Sequence, residues 1–257
     1  VPIELGLHSP RIERVRDLRT ARGRRDQGRF SIEGSTLIAE ALHSGTAIRE
    51  MYASAEAMAH DPSLAAHEAP DRPLFTLPAR LFARLSDLSS PPGILAVADI
   101  PSVDPRAILA TPGTVLLLAG INDPGNAGTL LRSAEAFGAT GVLFGEGGVD
   151  AYAPKVVRAA MGALFRLPVA TVRSDWLELC AAEIGRPIVA ADTAGSDVTT
   201  TALPIDLILA IGNERRGVHD WLSRFDLLVR IPQRETVESL NAGVAGSILL
   251  YLLSRPR

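Results

Sequence analysis

Six short apolar runs mark the second half of the chain, at residues 115–121, 142–144, 168–172, 187–191, 206–211 and 227–231. The first of them, Val115 to Ala119, is continuous, the pattern of a strand covered on both faces. Helical spacings separate them, as at 153–163, where Val156, Val157, Ala160 and Met161 share a face. Alternation of this kind predicts βα units and a parallel sheet from residue 113 onward. The first hundred residues read differently. Ile12, Val15 and Leu18 follow helical spacing, 35–43 and 79–88 are helical, and 48–53, 74–77 and 94–100 are strands. Residues 61–73, rich in Ala, Pro and charge, form a surface loop. The prediction is an α/β chain: a small α/β domain over 1–100, a proline-bearing linker over 101–112, and a parallel-sheet domain over 113–257.

Composition narrows the class. With 47% hydrophobic and 21% charged residues, the 257-residue chain has the material for a sizeable core. No apolar run approaches the ~20 residues that cross a bilayer, and the beginning lacks a signal-peptide core. A cytoplasmic protein without a membrane partner is expected. Cys180 is the single cysteine, and the five histidines have no ligand spacing, so no metal is expected. The net charge of −3 hides an asymmetry. Between Arg11 and Arg29 lie eight arginines against Glu13, Asp17 and Asp26. Such a local excess seeks phosphate, and Arg22, Arg24 and Arg25 are its expected RNA contacts.

Chemistry concentrates at three strand ends. Residues 121–132 read Ile-Asn-Asp-Pro-Gly-Asn-Ala-Gly-Thr-Leu-Leu-Arg. Pro124 and Gly125 break the preceding strand, and Leu130, Ala134 and Phe137 line one face of the helix that follows. Gly138 would end that helix as a left-handed residue. Asn126 thus sits in a strand-to-helix turn, where an open α/β sheet places its ligand chemistry, and Arg132 lies on the polar side. A second strand runs into Gly212-Asn-Glu-Arg-Arg-Gly217, and a third into Ile231-Pro-Gln-Arg-Glu-Thr-Val-Glu-Ser-Leu-Asn241.

In this order and spacing the three segments resemble motifs 1, 2 and 3 of the SpoU/TrmH family, S-adenosylmethionine-dependent RNA ribose 2′-O-methyltransferases of the knotted SPOUT superfamily. Arg29-Phe-Ser-Ile-Glu-Gly34 and Ser90-Pro-Pro-Gly-Ile-Leu-Ala-Val97 resemble the substrate-binding domain, similar to a ribosomal protein, that precedes the catalytic domain in many members. Glu33 is expected to fix a turn there rather than to catalyse. The resemblance implies a deep trefoil knot from about residue 190, S-adenosylmethionine as cofactor, a homodimer in which the arginine of one subunit completes the other's site, and large-subunit ribosomal RNA as substrate. Carried over by motif, the donor contacts are Ala191, Asp192, Thr193, Ile211, Gly212, Asn213, Ile231 and Leu240. The catalytic set is Asn126, Arg132, Glu214, Ser239 and Asn241.

A ribose hydroxyl is a weak nucleophile and needs polarisation, in-line placement and a grip on the neighbouring phosphate. Arg132 suits the phosphate, and a guanidinium holds its proton too firmly to serve as base. Asn126 would orient Arg132 or the ribose, and Glu214 would pair with an arginine or a substrate hydroxyl. Ser239 and Asn241 open the last helix, where Ser is also an ordinary N-cap. The third motif departs from the family, with Gln233 to Thr236 in place of its usual Met and Gly. Alternatives are a tRNA ribose methyltransferase and a non-catalytic RNA-binding assembly factor. Resistance to ribosome-directed antibiotics is a further role that similar enzymes have.

Overall fold

The computed structural model describes residues 3–6, 9–213, 217–234, 236 and 239–255. The chain divides into two compact units. The first comprises residues 1–101 with Tyr152–Arg158; the second comprises Ser102–Ala151 and Ala159–Arg257.

In the first unit, β1 (Ile3–Glu4), α1 (Pro10–Asp17) and α2 (Ala21–Gln27) lead into β2 (Arg29–Glu33), α3 (Ser35–His43) and β3 (Ile48–Ser54). α4 (Ala55–His60), β4 (Leu74–Leu77), α5 (Ala79–Phe82) and β5 (Ile94–Asp99) follow. The sheet order is β1-β4-β3-β5-β2, with β5 antiparallel to both neighbours. Ile12, Val15 and Leu18 pack with Tyr52, Phe75 and Leu81 in its core. α2 starts at the N-cap Thr20, whose side chain accepts from Gly23 N, and ends at left-handed Gly28. This short helix turns Arg24 inward. The side chain is 3% exposed and donates from Nη1 to Leu18 O at 2.8 Å. Arg24 is therefore a strut inside the unit, which corrects its expected place among RNA contacts; Arg22 and Arg25 are exposed. Several other arginines of this stretch are paired, Arg11 with Glu50, Arg16 with Glu13 and Arg29 with Asp99.

The second unit begins with α6 (Pro105–Ala110), β6 (Thr114–Ala119), α7 (Pro124–Ala136) and β7 (Gly141–Gly145). After α8 (Pro154–Ala159), most of which belongs to the first unit, come β8 (Val169–Val172), α9 (Ser174–Ile184), β9 (Ile188–Asp197), β10 (Leu207–Gly212), β11 (Leu227–Arg230) and α10 (Ala242–Ser254). Six strands pair in the order β11-β9-β10-β6-β7-β8, and every pairing is parallel. Val115 to Ala119 are all buried, which explains the unbroken apolar run. Val115, Leu117 and Ala119 join Leu177 and Cys180 of α9 on one face. On the other, α10 comes close to α7 and β10 at Gly246, where an added Cβ would lie 2.3 Å from Leu130 and 3.2 Å from Ile211.

Two expectations change. Residues 101–112 are not an open linker, because α6 buries Ile108 and Leu109 in the second unit's core. Buried Arg186 donates to the carbonyls of Leu109, Thr111 and Gly113, fastening the stretch to that unit. The helix expected over 153–163 stops at Ala159, since Met161 (φ 49°) and Gly162 (φ 92°) are left-handed.

Candidate active site

The carboxyl ends of β6, β7, β10 and β11, with residues 191–193 inside β9, carry two adjoining cavities. β9 supplies an unusual wall. Leu228 pairs with Ala190, but the next residue, Val229, pairs with Ser196, so residues 191–195 bulge out of the ladder. A bulge leaves backbone donors and acceptors without strand partners, available to a ligand. Asp192 stiffens it by accepting from Ala194 N at 2.8 Å, and its other oxygen lies 3.5 Å from His219 Nε2. The bulge closes tightly on β11, because a Cβ at Gly195 would stand 2.5 Å from Val229 N.

The first cavity, about 490 Å³, is lined by this bulge, by the end of β10 and by residues after β11. All eight expected donor contacts, Ala191, Asp192, Thr193, Ile211, Gly212, Asn213, Ile231 and Leu240, line it, and so does Ser239. Gln233 and Arg234, where the third motif departs from the family pattern, line it too, with Leu249 of α10 below. Its volume falls in the usual range of small-molecule sites, about 300–1,000 Å³. Apolar Ile211, Ile231, Leu240 and Leu249 with polar strand-end backbone suit a ligand that combines a flat ring with hydrogen-bonding groups. Gly212 is bound to be small, since a Cβ there would lie 2.2 Å from the backbone of Gly217.

The second cavity, about 1030 Å³, includes Gly120, Asn122, Asp123, Asn126, Glu146, Trp221 and Asn241 among its walls. It shares Asn213 and Gly217 with the first, so a group reaching past them passes from one to the other. Asp123 caps α7 by accepting from Asn126 N at 2.7 Å, with Pro124 in the first turn. That cap fixes Asn126, which is 8% exposed. Asn241 caps α10 by accepting from Val244 N at 3.2 Å, so the N-cap falls to Asn241 rather than to Ser239. The two asparagines meet over Gly243, where a Cβ would be 3.1 Å from each Oδ1.

Arg132 stands apart. It is exposed on α7 and lines neither cavity of its own chain. Glu214 lies outside the described residues, between Asn213 and Gly217, whose backbones are bonded at 2.8 Å. Among the described residues, no group of three or more His, Cys, Asp or Glu could hold a metal ion. Sequence reasoning missed Asn122, Glu146 and Trp221. Asn122 lies within the first motif, Glu146 and Trp221 in none of the three, and the pairing of β6 with β7 and with β10 brings them together.

The parallel sheet thus carries at its strand ends a cavity of small-molecule size that adjoins an asparagine-lined second cavity. Residues 113–251 match the SpoU rRNA Methylase family, and residues 9–96 match the MRM3-like substrate binding domain. The chain belongs to the SpoU rRNA methylase family and is an enzyme of that class. It is 31% identical to the 23S rRNA (guanosine(2553)-2′-O)-methyltransferase RlmP of Bacillus subtilis, over 96% of this chain and 98% of that one. It is 35% identical to the 23S rRNA (uridine(2479)-2′-O)-methyltransferase of Streptomyces viridochromogenes, over 65% of this chain and 62% of that one. Among solved structures, the SpoU methyltransferase AviRb from Streptomyces viridochromogenes, in complex with AdoMet, superposes with a TM-score of 0.83. It is 28% identical, covering 96% of this chain and 97% of that one.

Proposed function

We propose that the chain transfers a methyl group from S-adenosylmethionine to a ribose 2′-hydroxyl of 23S ribosomal RNA. The observation that carries this reading is the sharing of Asn213 and Gly217 by a donor-sized cavity and a cavity holding both motif asparagines. S-adenosylmethionine, when bound, supplies an electrophilic methyl on a sulfonium. The residues of the first cavity fit it: Ile231 and Leu240 offer apolar cover for an adenine, and the 191–195 bulge offers backbone groups for the polar parts.

The chain's own task is to hold the acceptor. Asn126 and Asn241, fixed by their caps, orient the ribose at the mouth between the cavities. Arg132 reaches a phosphate beside the target from a partner subunit, since it lines neither cavity of its own chain. Exposed Val244 and Tyr251 on α10 and exposed Arg132 on α7 supply a surface for that homodimer. The guanidinium grips and polarises, and the hydroxyl proton leaves to phosphate or water. In this reading the C-terminal part forms the trefoil knot of the family, the first unit grips RNA, and the enzyme works in the cytoplasm. No described helix is long and apolar enough to cross a membrane.

Calorimetric titration tests the donor assignment. S-adenosylmethionine and its demethylated product should both bind, and NAD should not. Heat with NAD alone would sink the reading.

A further inference from the structure

Trp221 lies in the second cavity but in none of the three motifs. A Cβ added at Gly145 would stand 2.5 Å from its Cε2, 2.7 Å from Cζ2 and 2.8 Å from Nε1. Cε2 is bonded to both other atoms and is the nearest of the three. An approach within the ring plane would bring the two flanking atoms closer, so Gly145 lies over the indole's face. A Cβ at Gly120 would lie 3.7–4.0 Å from Cδ1, Cβ and Cγ of the same residue. The indole thus rests on bare backbone at the carboxyl ends of β6 and β7. Its one polar atom is tied down, with Nε1 donating to Glu146 O at 2.9 Å. The residue remains half-buried and lines the cavity that holds Asn126 and Asn241.

We infer that Trp221 is the stacking platform for the target nucleobase, a specificity-determining contact that rests on the proposed RNA methylation. A nucleobase turned out of its RNA stack needs a flat aromatic surface, which every base can use. With one face laid on Gly145 and the N–H anchored, the part of the ring that lines the cavity needs no ordering on binding. The charge of the walls says which part of a nucleotide enters. Asp123, Glu146 and Asp220 are among the lining residues, and no lysine or arginine is among the described ones. A carboxylate on such a wall disfavours a phosphodiester beside it, whereas it does not repel an uncharged base. The base enters, its ribose stays near Asn126 and Asn241, and the phosphates remain at the rim.

Trp221 also packs against the core beside Val218 and Leu222, so its test must separate stacking from packing. Leucine fills the core side without a π-face; phenylalanine keeps one. With the full chain, labelled S-adenosylmethionine and a 23S rRNA transcript, Trp221→Leu should lower kcat/KM about 10- to 100-fold. Trp221→Phe should stay close to wild type, and S-adenosylhomocysteine should bind all three proteins equally. Equal RNA kinetics for the Leu and Phe variants would overturn the proposal. A second measurement serves if the variants fold poorly. In Trp176→Phe, Trp221 is the sole indole. Its fluorescence should be quenched by the transcript and by nucleoside monophosphates, but not by ribose 5-phosphate. Absence of quenching by the transcript and by all four nucleotides would also overturn the proposal. A wild-type protein that binds S-adenosylhomocysteine yet leaves the transcript unmethylated would defeat the proposed function instead, and the quenching titration would then decide Trp221 by itself.

Discussion

Arg22, Arg24 and Arg25 are equivalent by charge counting, yet the fold separates them. Arg24 spends its guanidinium on Leu18 O inside the first unit, while its neighbours face solvent. Arg24→Gln should therefore lower stability by about 1–3 kcal/mol, the cost of leaving a buried carbonyl without its donor. Arg22→Gln and Arg25→Gln should change stability by less than about 0.5 kcal/mol. Their effect should instead appear as a shallower salt dependence of RNA binding, with the slope falling by about 0.7–0.9 for each phosphate no longer neutralised. Thermal melts and filter binding at several salt concentrations read the two effects. Glu33, expected to fix a turn, is a buried carboxyl near Arg158 (3.7 Å), with Oε1 unpartnered. Burial raises its pKa above the ordinary 4.5, although a Ser86 hydrogen bond and Arg158 oppose the shift. The folded state thus holds the proton more tightly than the unfolded one. That stabilisation is full below the ordinary value and is lost as pH rises through the folded value. Glu33→Gln should remove this dependence, so its melting temperature relative to wild type should rise from acidic to neutral pH in calorimetry. A constant difference would contradict the shift. Neither the inward turn of Arg24 nor the burial of Glu33 is legible from residue type, because both depend on what α2 and β2 pack against.

At the scale of elements, strands are the most legible feature, since burial on both faces leaves continuous apolar runs such as Val115 to Ala119. What escapes is local geometry set by the neighbouring chain. The 191–195 bulge exists because Val229 pairs with Ser196 instead of continuing the register from Ala190, and no run of residues announces that. The helix expected over 79–88 shrinks to α5, and 101–112 folds onto the second unit because Ile108 and Leu109 have a core to enter. The residues that line the first cavity are legible for a different reason: the motifs that carry the family resemblance lie at or beside the strand ends. The bulge gives a direct prediction. Gly195→Ala would press a methyl against the backbone of Leu228 and Val229, at 2.6 and 2.5 Å. It should cost about 1–3 kcal/mol of stability and weaken S-adenosylmethionine binding at least about tenfold. Calorimetry on a folded variant with wild-type affinity would show that the bulge does not shape the donor cavity.

The whole molecule poses the question of where Arg132 acts. Its helical position is legible from spacing, whereas a place outside its own chain's cavities is implied only by the family resemblance, because residue spacing does not distinguish one subunit's site from another's. If the site is shared between subunits, Arg132→Ala alone should lose about 100- to 1,000-fold in turnover with donor affinity intact. Asn126→Ala should be similarly impaired. Mixed dimers then decide the matter. A subunit carrying Arg132→Ala retains Asn126 and its donor cavity, and its Asn126→Ala partner supplies an intact Arg132. Activity recovered on mixing the two inactive proteins supports a composite site; two folded dimers that exchange subunits without recovery would place Arg132 and Asn126 in one chain's site.

Methyl transfer to a ribose of 23S rRNA is tested by mapping the product. Transcribed 23S rRNA is incubated with the protein and S-adenosylmethionine, and methylated positions are read by low-nucleotide primer extension and by mass spectrometry of nuclease digests. One donor-dependent 2′-O-methyl nucleotide should appear, and it should be absent with Arg132→Ala. A methyl group on a base, or none at all from a protein that binds the donor, would contradict the proposed transfer.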